Sequence, residues 1–277
     1  MLIRMDIILR KAQEEGYGVA APNVFDGDSV RSCFEAALEL RAPMVIDAGQ
    51  SVDLEYIADV TRFYAERYPE IPVSLNLDHG KSFDAACRAI RAGFTSVMVD
   101  RSQAPFEENV RETREIVKMA HAVGVSVEAE IGHVGQGANY SADRDAGLTR
   151  VEDAVEYVKQ TGVDCLAIAI GTAHGKYVGT PRLDFDRLVA IRKAVSIPLV
   201  LHGGSSTGDE NLARAVQLGI TKVNLATDLM VAGAKAAKEF VNANEDPRLP
   251  QVVKAGMEGY KAELIRYMKL FGEENRW

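Results

Sequence analysis

Apolar residues recur along the chain in short runs of strand-forming residues, separated by longer stretches in which they repeat at helical spacing. The runs cover residues 18–24, 44–49, 73–79, 96–101, 125–132, 165–174, 199–204 and 222–227. Helical periodicity appears first over 5–16 and then over 30–41, 53–68, 83–92, 107–123, 151–161, 185–195, 209–218 and 228–244. Strands that alternate with helices pair in parallel through helical crossovers. Eight such units predict closure into an α/β fold of the (β/α)8 TIM-barrel type.

The punctuation agrees. Gly93, Gly124, Gly162 and Gly219 each stand just after a helical stretch and before a strand, where a left-handed cap costs glycine little. Pro43, Pro72 and Pro198 precede strands, where a missing backbone donor does least harm. No linker, low-complexity segment or composition break interrupts residues 1–277, so the chain reads as a single domain. Residues 133–149 form the longest irregular stretch, the length of a functional lid or flap. Residues 247–277 predict one or two extra C-terminal helices, packed on the barrel or on a partner subunit.

Composition narrows the function. With 277 residues, 47% of them apolar, the chain can bury a large core. A net charge of -8 without a basic cluster argues against nucleic-acid or acidic-membrane surfaces, so an anionic ligand needs a local site. Cys33, Cys87 and Cys165 are far apart and lack metal or disulfide spacing, which fits a reducing cytoplasm. No apolar run is long enough to span a bilayer.

The run Val73–Gly80, VSLNLDHG, ends in a carboxylate, an imidazole and a glycine. Burying Asp78 and His79 without partners would cost several kcal/mol, so this end is expected at the catalytic mouth of the barrel. His174 and His202 also fall at strand ends, and each is followed by glycine. Three imidazoles at one mouth could share a single metal ion, as in an open zinc site; a lone one would read as structural. His121 is expected at the surface or as a helix cap, and His133 as part of the long loop, with ligand contact the alternative. Asp100 and Glu130 close neighbouring strands, and Glu128 shares a face with Glu130. These carboxylates are open to substrate contact, to pairing with Arg101, or to anchoring histidine ring protons. Gly203, Gly204 and Ser205 after one strand, and Asn224 to Thr227 at the end of the next, suit phosphate: bare amides, a hydroxyl and a helix start. The bland alternative is that the glycines turn the chain and Thr227 caps its helix.

LDHG (77–80), PFEENV (105–110), GVSVEAEIG (124–132), TGVDCLAIAIGTAHGKY (161–177), PLVLHGGS (198–205) and TKVNLAT (221–227) occur in this order over nearly the whole chain. In them the sequence resembles the class II, metal-dependent fructose-bisphosphate and tagatose-bisphosphate aldolases, with AIGTAHG and VNLAT similar to the tagatose branch. The resemblance implies an aldehyde-lyase that cleaves a ketose (bis)phosphate reversibly to dihydroxyacetone phosphate and an aldehyde. It implies one catalytic Zn2+ on His79, His174 and His202, and Asp78 as general acid and base. Asp100 and Glu130 would serve a second or displaced metal position, with a second divalent or monovalent cation possible there. Gly175, Gly203, Gly204, Ser205, Asn224, Leu225, Ala226 and Thr227 would line the dihydroxyacetone phosphate site. A phosphorylated sugar is the implied partner, and a homodimer or homotetramer the expected assembly.

The sequence also departs from the family pattern. The acidic lid run GGxED is replaced by GHVGQGANYSADRDAG (132–147), with Gln136, Ala138 and Asn139 where acid is expected and Asp143 and Asp145 as displaced candidates. GSH becomes Arg101-Ser102-Gln103, AFN becomes Ala21-Pro22-Asn23, and Asp47 stands where the approach of a second phosphate is expected. The departures predict an altered aldehyde half. Alternatives are a different aldehyde partner, a metal-assisted epimerase or hydrolase, and a non-catalytic barrel subunit.

Overall fold

The computed structural model describes residues 1–137, 147–177 and 181–277. In chain order the elements are α1 (Met5–Glu15), β1 (Val19–Pro22), α2 (Gly27–Leu40), β2 (Met44–Gly49), α3 (Leu54–Arg67), β3 (Val73–Gly80), α4 (Phe83–Ala92), β4 (Ser96–Val99), α5 (Phe106–Ala122), β5 (Ser126–Ile131) and β6 (Gly135–Gln136). There follow α6 (Val151–Thr161), β7 (Cys165–Ile168), β8 (Ala173–His174), α7 (Phe185–Ala194), β9 (Leu199–Leu201), α8 (Asp209–Gln217), β10 (Ile220–Leu225), α9 (Thr227–Ala243) and α10 (Leu249–Leu270).

Eight strands pair in parallel in the order β1-β10-β9-β7-β5-β4-β3-β2. The two ends of that order meet: Asn23 bridges Asp47, and Val24 N donates to the Asp47 carbonyl at 2.9 Å. The result is the (β/α)8 barrel that the alternation predicts.

Local chemistry explains the helix limits. Asp26, Asp53, Ser82 and Asp184 each accept a backbone N–H in the first turn of the following helix. Gly93, Gly124, Gly162 and Gly219 all have positive φ, as expected of caps between helix and strand.

Strand alternation sorts the residues. Leu75, Leu77, Val127, Ala129, Val223 and Leu225 join the core between barrel and helices, while the alternate residues Asn76, Asp78, Glu128, Glu130, Lys222 and Asn224 are buried polar groups. The floor is apolar instead: Met5, Ile8, Leu9 and Ala12 of α1 are buried against Val19, Ala21, Val45, Cys165, Ala167 and Val200. α10 packs on α9 and α2, and Asn275 N donates to Leu40 O at 2.8 Å.

One predicted strand is broken. The run 165–174 leaves the barrel after Ile168, passes Gly171 at φ 105°, and forms β8, which pairs with β6 in a separate two-stranded sheet. Thr149 clamps the exit: its N–H donates to Ala169 O at 2.9 Å and its hydroxyl accepts from Ala169 N at 2.8 Å.

Candidate active site

The C-terminal end of β3 carries the first two functional groups. Asp78 is the last inward residue of the strand, and alternation alone would turn His79 away. His79 instead adopts φ 51°, a left-handed conformation that costs a non-glycine residue about 1–2 kcal/mol. The reversal brings its ring back over the mouth, as a strand that ends and turns there requires. His202 directly follows β9 and is fully buried. His174 does not sit at a barrel-strand tip; it arrives on β8, held by pairing of Gln136 with His174.

The three rings nevertheless converge. The His79 centroid lies 5.0 Å from that of His174 and 4.7 Å from that of His202, and the remaining pair is 6.1 Å apart. One nitrogen from each of the three lies within 4.8 Å of the others, and ligand atoms of His79, Asp100 and Glu130 form a second such group. Two of the rings are steered by carboxylates. His79 Nδ1 is 2.8 Å from Asp100 Oδ2, and His202 Nε2 is 2.8 Å from Glu128 Oε1. Asp100 thus anchors a histidine, while Arg101 pairs with Glu108 and Glu112.

Asp78 is held by two amides: Asn23 Nδ2 donates to Oδ2 at 2.8 Å and Asn224 Nδ2 to Oδ1 at 3.0 Å. Burial opposes its charge, but His79, His202, Lys222 and the Asn23 hydrogen bond together bring it below the usual carboxylate range. Asp78 therefore stands as a carboxylate able to take a proton. The imidazoles diverge. Burial and its two cationic neighbours lower His174 to about 4, whereas Glu128 and Glu130 overcome burial and raise His202 to about 10. His79 is raised by Asp78 and Asp100 against the same burial penalty.

These residues fit a divalent cation. His202 Nδ1 and Glu130 Oε2 are buried and 3.0 Å apart, yet neither makes an aligned hydrogen bond. Atoms so placed are costly unless a ligand joins them. Three imidazoles with carboxylates behind two of them form the donor set of a zinc site with an open position.

Beside this centre lies a cavity of about 310 Å³ whose walls include Asp78, His79, His174, Gly175, Gly203, Ser205, Asn224, Ala226 and Thr227. Gly204 and Leu225 are not among its walls: a Cβ at Gly204 would meet Val223, and Leu225 belongs to the outer core. Gly203 has φ 68°, and a Cβ there would lie 2.4 Å from Ala173 O, so only glycine lets this turn pass under β8. Thr227 does not cap α9 with its side chain. Ser205 does that work, its Oγ accepting from Ala226 N and Asp228 N at 3.2 Å each, which leaves the hydroxyl proton to donate. Tyr177 ties the loops together, its hydroxyl accepting from Ala173 N at 2.6 Å and lying 2.9 Å from Thr207 Oγ1. A larger cavity of about 570 Å³, outside the barrel beside Phe83 and Ile116, is lined by no imidazole.

One more sequence expectation changes. Asp47 does not face a second phosphate: it is fully buried, 3.1 Å from Lys222 Nζ, and accepts from Asn76 Nδ2 at 2.8 Å. Its location raises it to about 7, burial outweighing the pull of Lys222. His133 is exposed and does not line the cavity. His121 binds Asp164 at 2.8 Å, away from the mouth. Ala138, Asn139, Asp143 and Asp145 lie outside the described residues, and Gln136 is exposed on β6. Of Asn23, Asn76, Glu128, Tyr177 and Lys222, sequence reading gives only Glu128 its role, as one of the open alternatives, the anchoring of a histidine ring proton. For most of them the signal was present as polar residues two apart within strands: Asn76-x-Asp78, Glu128-x-Glu130 and Lys222-x-Asn224.

Comparison with known proteins agrees with the geometry. The family described as "Fructose-bisphosphate aldolase class-II" matches residues 3–276. The fructose-bisphosphate aldolase of Helicobacter pylori (strain J99 / ATCC 700824) is 39% identical over 308 aligned positions, covering 100% of both chains. The crystal structure of the YdjI aldolase from Escherichia coli K12 has a TM-score of 0.86 at 32% identity, covering 99% of this chain and 98% of the other. That of the Campylobacter jejuni fructose-bisphosphate aldolase, 22% identical with a TM-score of 0.83 and covering 100% of this chain and 97% of its own, shares the fold. A likeness that spans essentially all of both sequences, on a barrel whose mouth gathers three imidazoles and an amide-held carboxylate, establishes that this chain belongs to the class II fructose-bisphosphate aldolase family.

Proposed function

We propose that this lyase cleaves a ketose phosphate or bisphosphate reversibly to dihydroxyacetone phosphate and an aldehyde, using one zinc ion held by His79, His174 and His202. The observation that carries the reading is Asp78, a carboxylate fixed by two amide donors with its nearer oxygen 3.9 Å from His79 Nε2. When bound, zinc supplies Lewis acidity, drawing electrons from the ketone as the carbon–carbon bond breaks. Asp78 takes the hydroxyl proton of the departing aldehyde in cleavage and returns it in condensation. Asn23 and Asn224 keep that carboxylate aimed. Gly175, Gly203, Ser205, Ala226 and Thr227 receive the phosphate at the start of α9, where a helix N-terminus and free donors serve an anion without a net positive surface. Asp100 and Glu130, with His79, form the second group a cation could visit.

The aldehyde half supports a second, narrower reading. Phe25, Val52, Met230 and Ser51 line that side, and among the described residues the cavity walls include no lysine or arginine. An aldehyde without its own phosphate fits such walls better than a phosphorylated one. Offering dihydroxyacetone phosphate with a panel of phosphorylated and unphosphorylated aldehydes, and following condensation by mass, separates the two. Efficient cleavage of fructose 1,6-bisphosphate would overturn the narrower reading, and absence of any condensation product would overturn the aldolase reading. Met230, Val231, Val241, Leu249 and Val253 are exposed on α9 and α10, in keeping with a homodimer or homotetramer, which light scattering would measure. No helix among the described residues is long and apolar enough to cross a membrane.

A further inference from the structure

Lys222 is fully buried beneath the mouth and lines no part of the cavity. Its ammonium lies 2.7 Å from Asn224 Oδ1, 3.1 Å from Asp47 Oδ2 and 3.0 Å from Glu128 Oε2. Neutralising one buried ammonium takes one carboxylate. The second carboxylate and the amide go further, and each leads to a different half of the site.

Asn224 presents two chemically opposite ends. With Oδ1 against the ammonium, only Nδ2 is left to face Asp78, and it donates there at 3.0 Å. The flipped amide would set NH2 against NH3⁺ and a carbonyl oxygen against a carboxylate, two repulsions in place of two attractions. Glu128 performs the matching task on the other side. One oxygen faces Lys222 while the other takes His202 Nε2 at 2.8 Å. A carboxylate held against the ammonium can only accept, so His202 Nε2 carries a proton, and the nitrogen left to give its lone pair to a bound metal is Nδ1.

We infer that Lys222 is a positioning residue that fixes both the amide polarity of Asn224 at Asp78 and the ring tautomer of His202 at the metal position. The inference rests on the proposed function: its kinetic arm on the aldolase chemistry, its tautomer and affinity arms on the three-imidazole zinc site alone. One buried cation thereby aligns the proton-transfer group and a metal donor that come from different strands.

Two experiments test it. In uniformly folded wild-type enzyme loaded with zinc and labelled with 15N-histidine, NMR should show His202 protonated at Nε2 and bound through Nδ1; a proton on Nδ1 would overturn the inference whatever the variants do. The second uses the charge-balanced variant Asp47→Asn/Lys222→Met, with melting temperature as the check on folding. Zinc affinity, read by chelator competition without substrate, should weaken by about 10–100-fold, the usual scale for losing a group behind a ligand. With zinc saturating, kcat should fall by a further ~10-fold or more while KM for dihydroxyacetone phosphate shifts far less, since the phosphate loops do not touch Lys222. A folded double variant with wild-type zinc affinity and kcat would overturn the assignment. If wild-type enzyme fails to condense any aldehyde, the aldolase reading falls, while the tautomer and zinc arms still report on Lys222.

Discussion

The two ends of the barrel interior are built by opposite means. Its floor is plugged by Met5, Ile8, Leu9 and Ala12 of α1 against small apolar residues of four strands. Its upper layer is a chain of charges and amides running Asp47, Lys222, Glu128 and His202 on one branch and Lys222, Asn224 and Asp78 on the other. The floor is non-directional and tolerates substitution in proportion to lost volume. The upper layer is directional, so removing one member leaves a buried group without its partner. Stability and catalysis therefore draw on different layers of the same strands.

Four changes would break or sharpen that contrast. The largest effect is expected from stripping the metal with a chelator: turnover should fall to background and return on adding Zn2+, while the melting curve keeps its cooperative form because the floor is untouched. A chelated enzyme at full rate would separate the imidazole cluster from the chemistry. Asp78→Ala comes next, with turnover lowered by ~100-fold or more, the scale for a positioned acid or base, and zinc content unchanged. A fully active variant would remove Asp78 from the mechanism.

Ile8→Ala should do the reverse, lowering stability by about 2–5 kcal/mol as a fully buried floor residue, and leaving kcat of the folded fraction unaltered. Denaturant unfolding together with steady-state rates measures both sides; a catalytic defect at full stability would blur the two layers. The smallest change concerns pH. Glu273 is fully buried beside β1, accepts from Ala20 N at 3.1 Å, and burial raises it well above the carboxylate range. A raised carboxyl group favours the folded state below its unfolded value near 4.3, and that contribution is lost as pH rises toward the folded value. Glu273→Gln should therefore raise the melting temperature more at pH 8 than at pH 5. Equal shifts at both would assign the gain to packing instead of proton linkage.

Much of this is legible in the amino-acid sequence. The alternation of apolar runs with helical periods marked the barrel, and the glycines at 93, 124, 162 and 219 marked where helices end, because both signals depend on neighbours within a few residues. The histidine–glycine pairs placed the three imidazoles near strand ends for the same local reason. His174 was assigned to the wrong element because a bend at Gly171 inside an apolar run leaves no trace in hydrophobic pattern. Ser205 in place of Thr227 at the start of α9 was equally hidden, since the capping oxygen comes from another loop.

What the sequence determined by itself was the set of elements and which residues could carry chemistry, through periodicity and local backbone preference. What only the tertiary structure decided was which charges meet: Asp47 toward Lys222 and not toward a phosphate, Glu128 behind His202, two amides on Asp78. Polar residues two apart on a strand look alike whether they face water or a closed interior. Only closure of the barrel, by bringing the inner faces of distant strands within hydrogen-bond reach, gives them their partners.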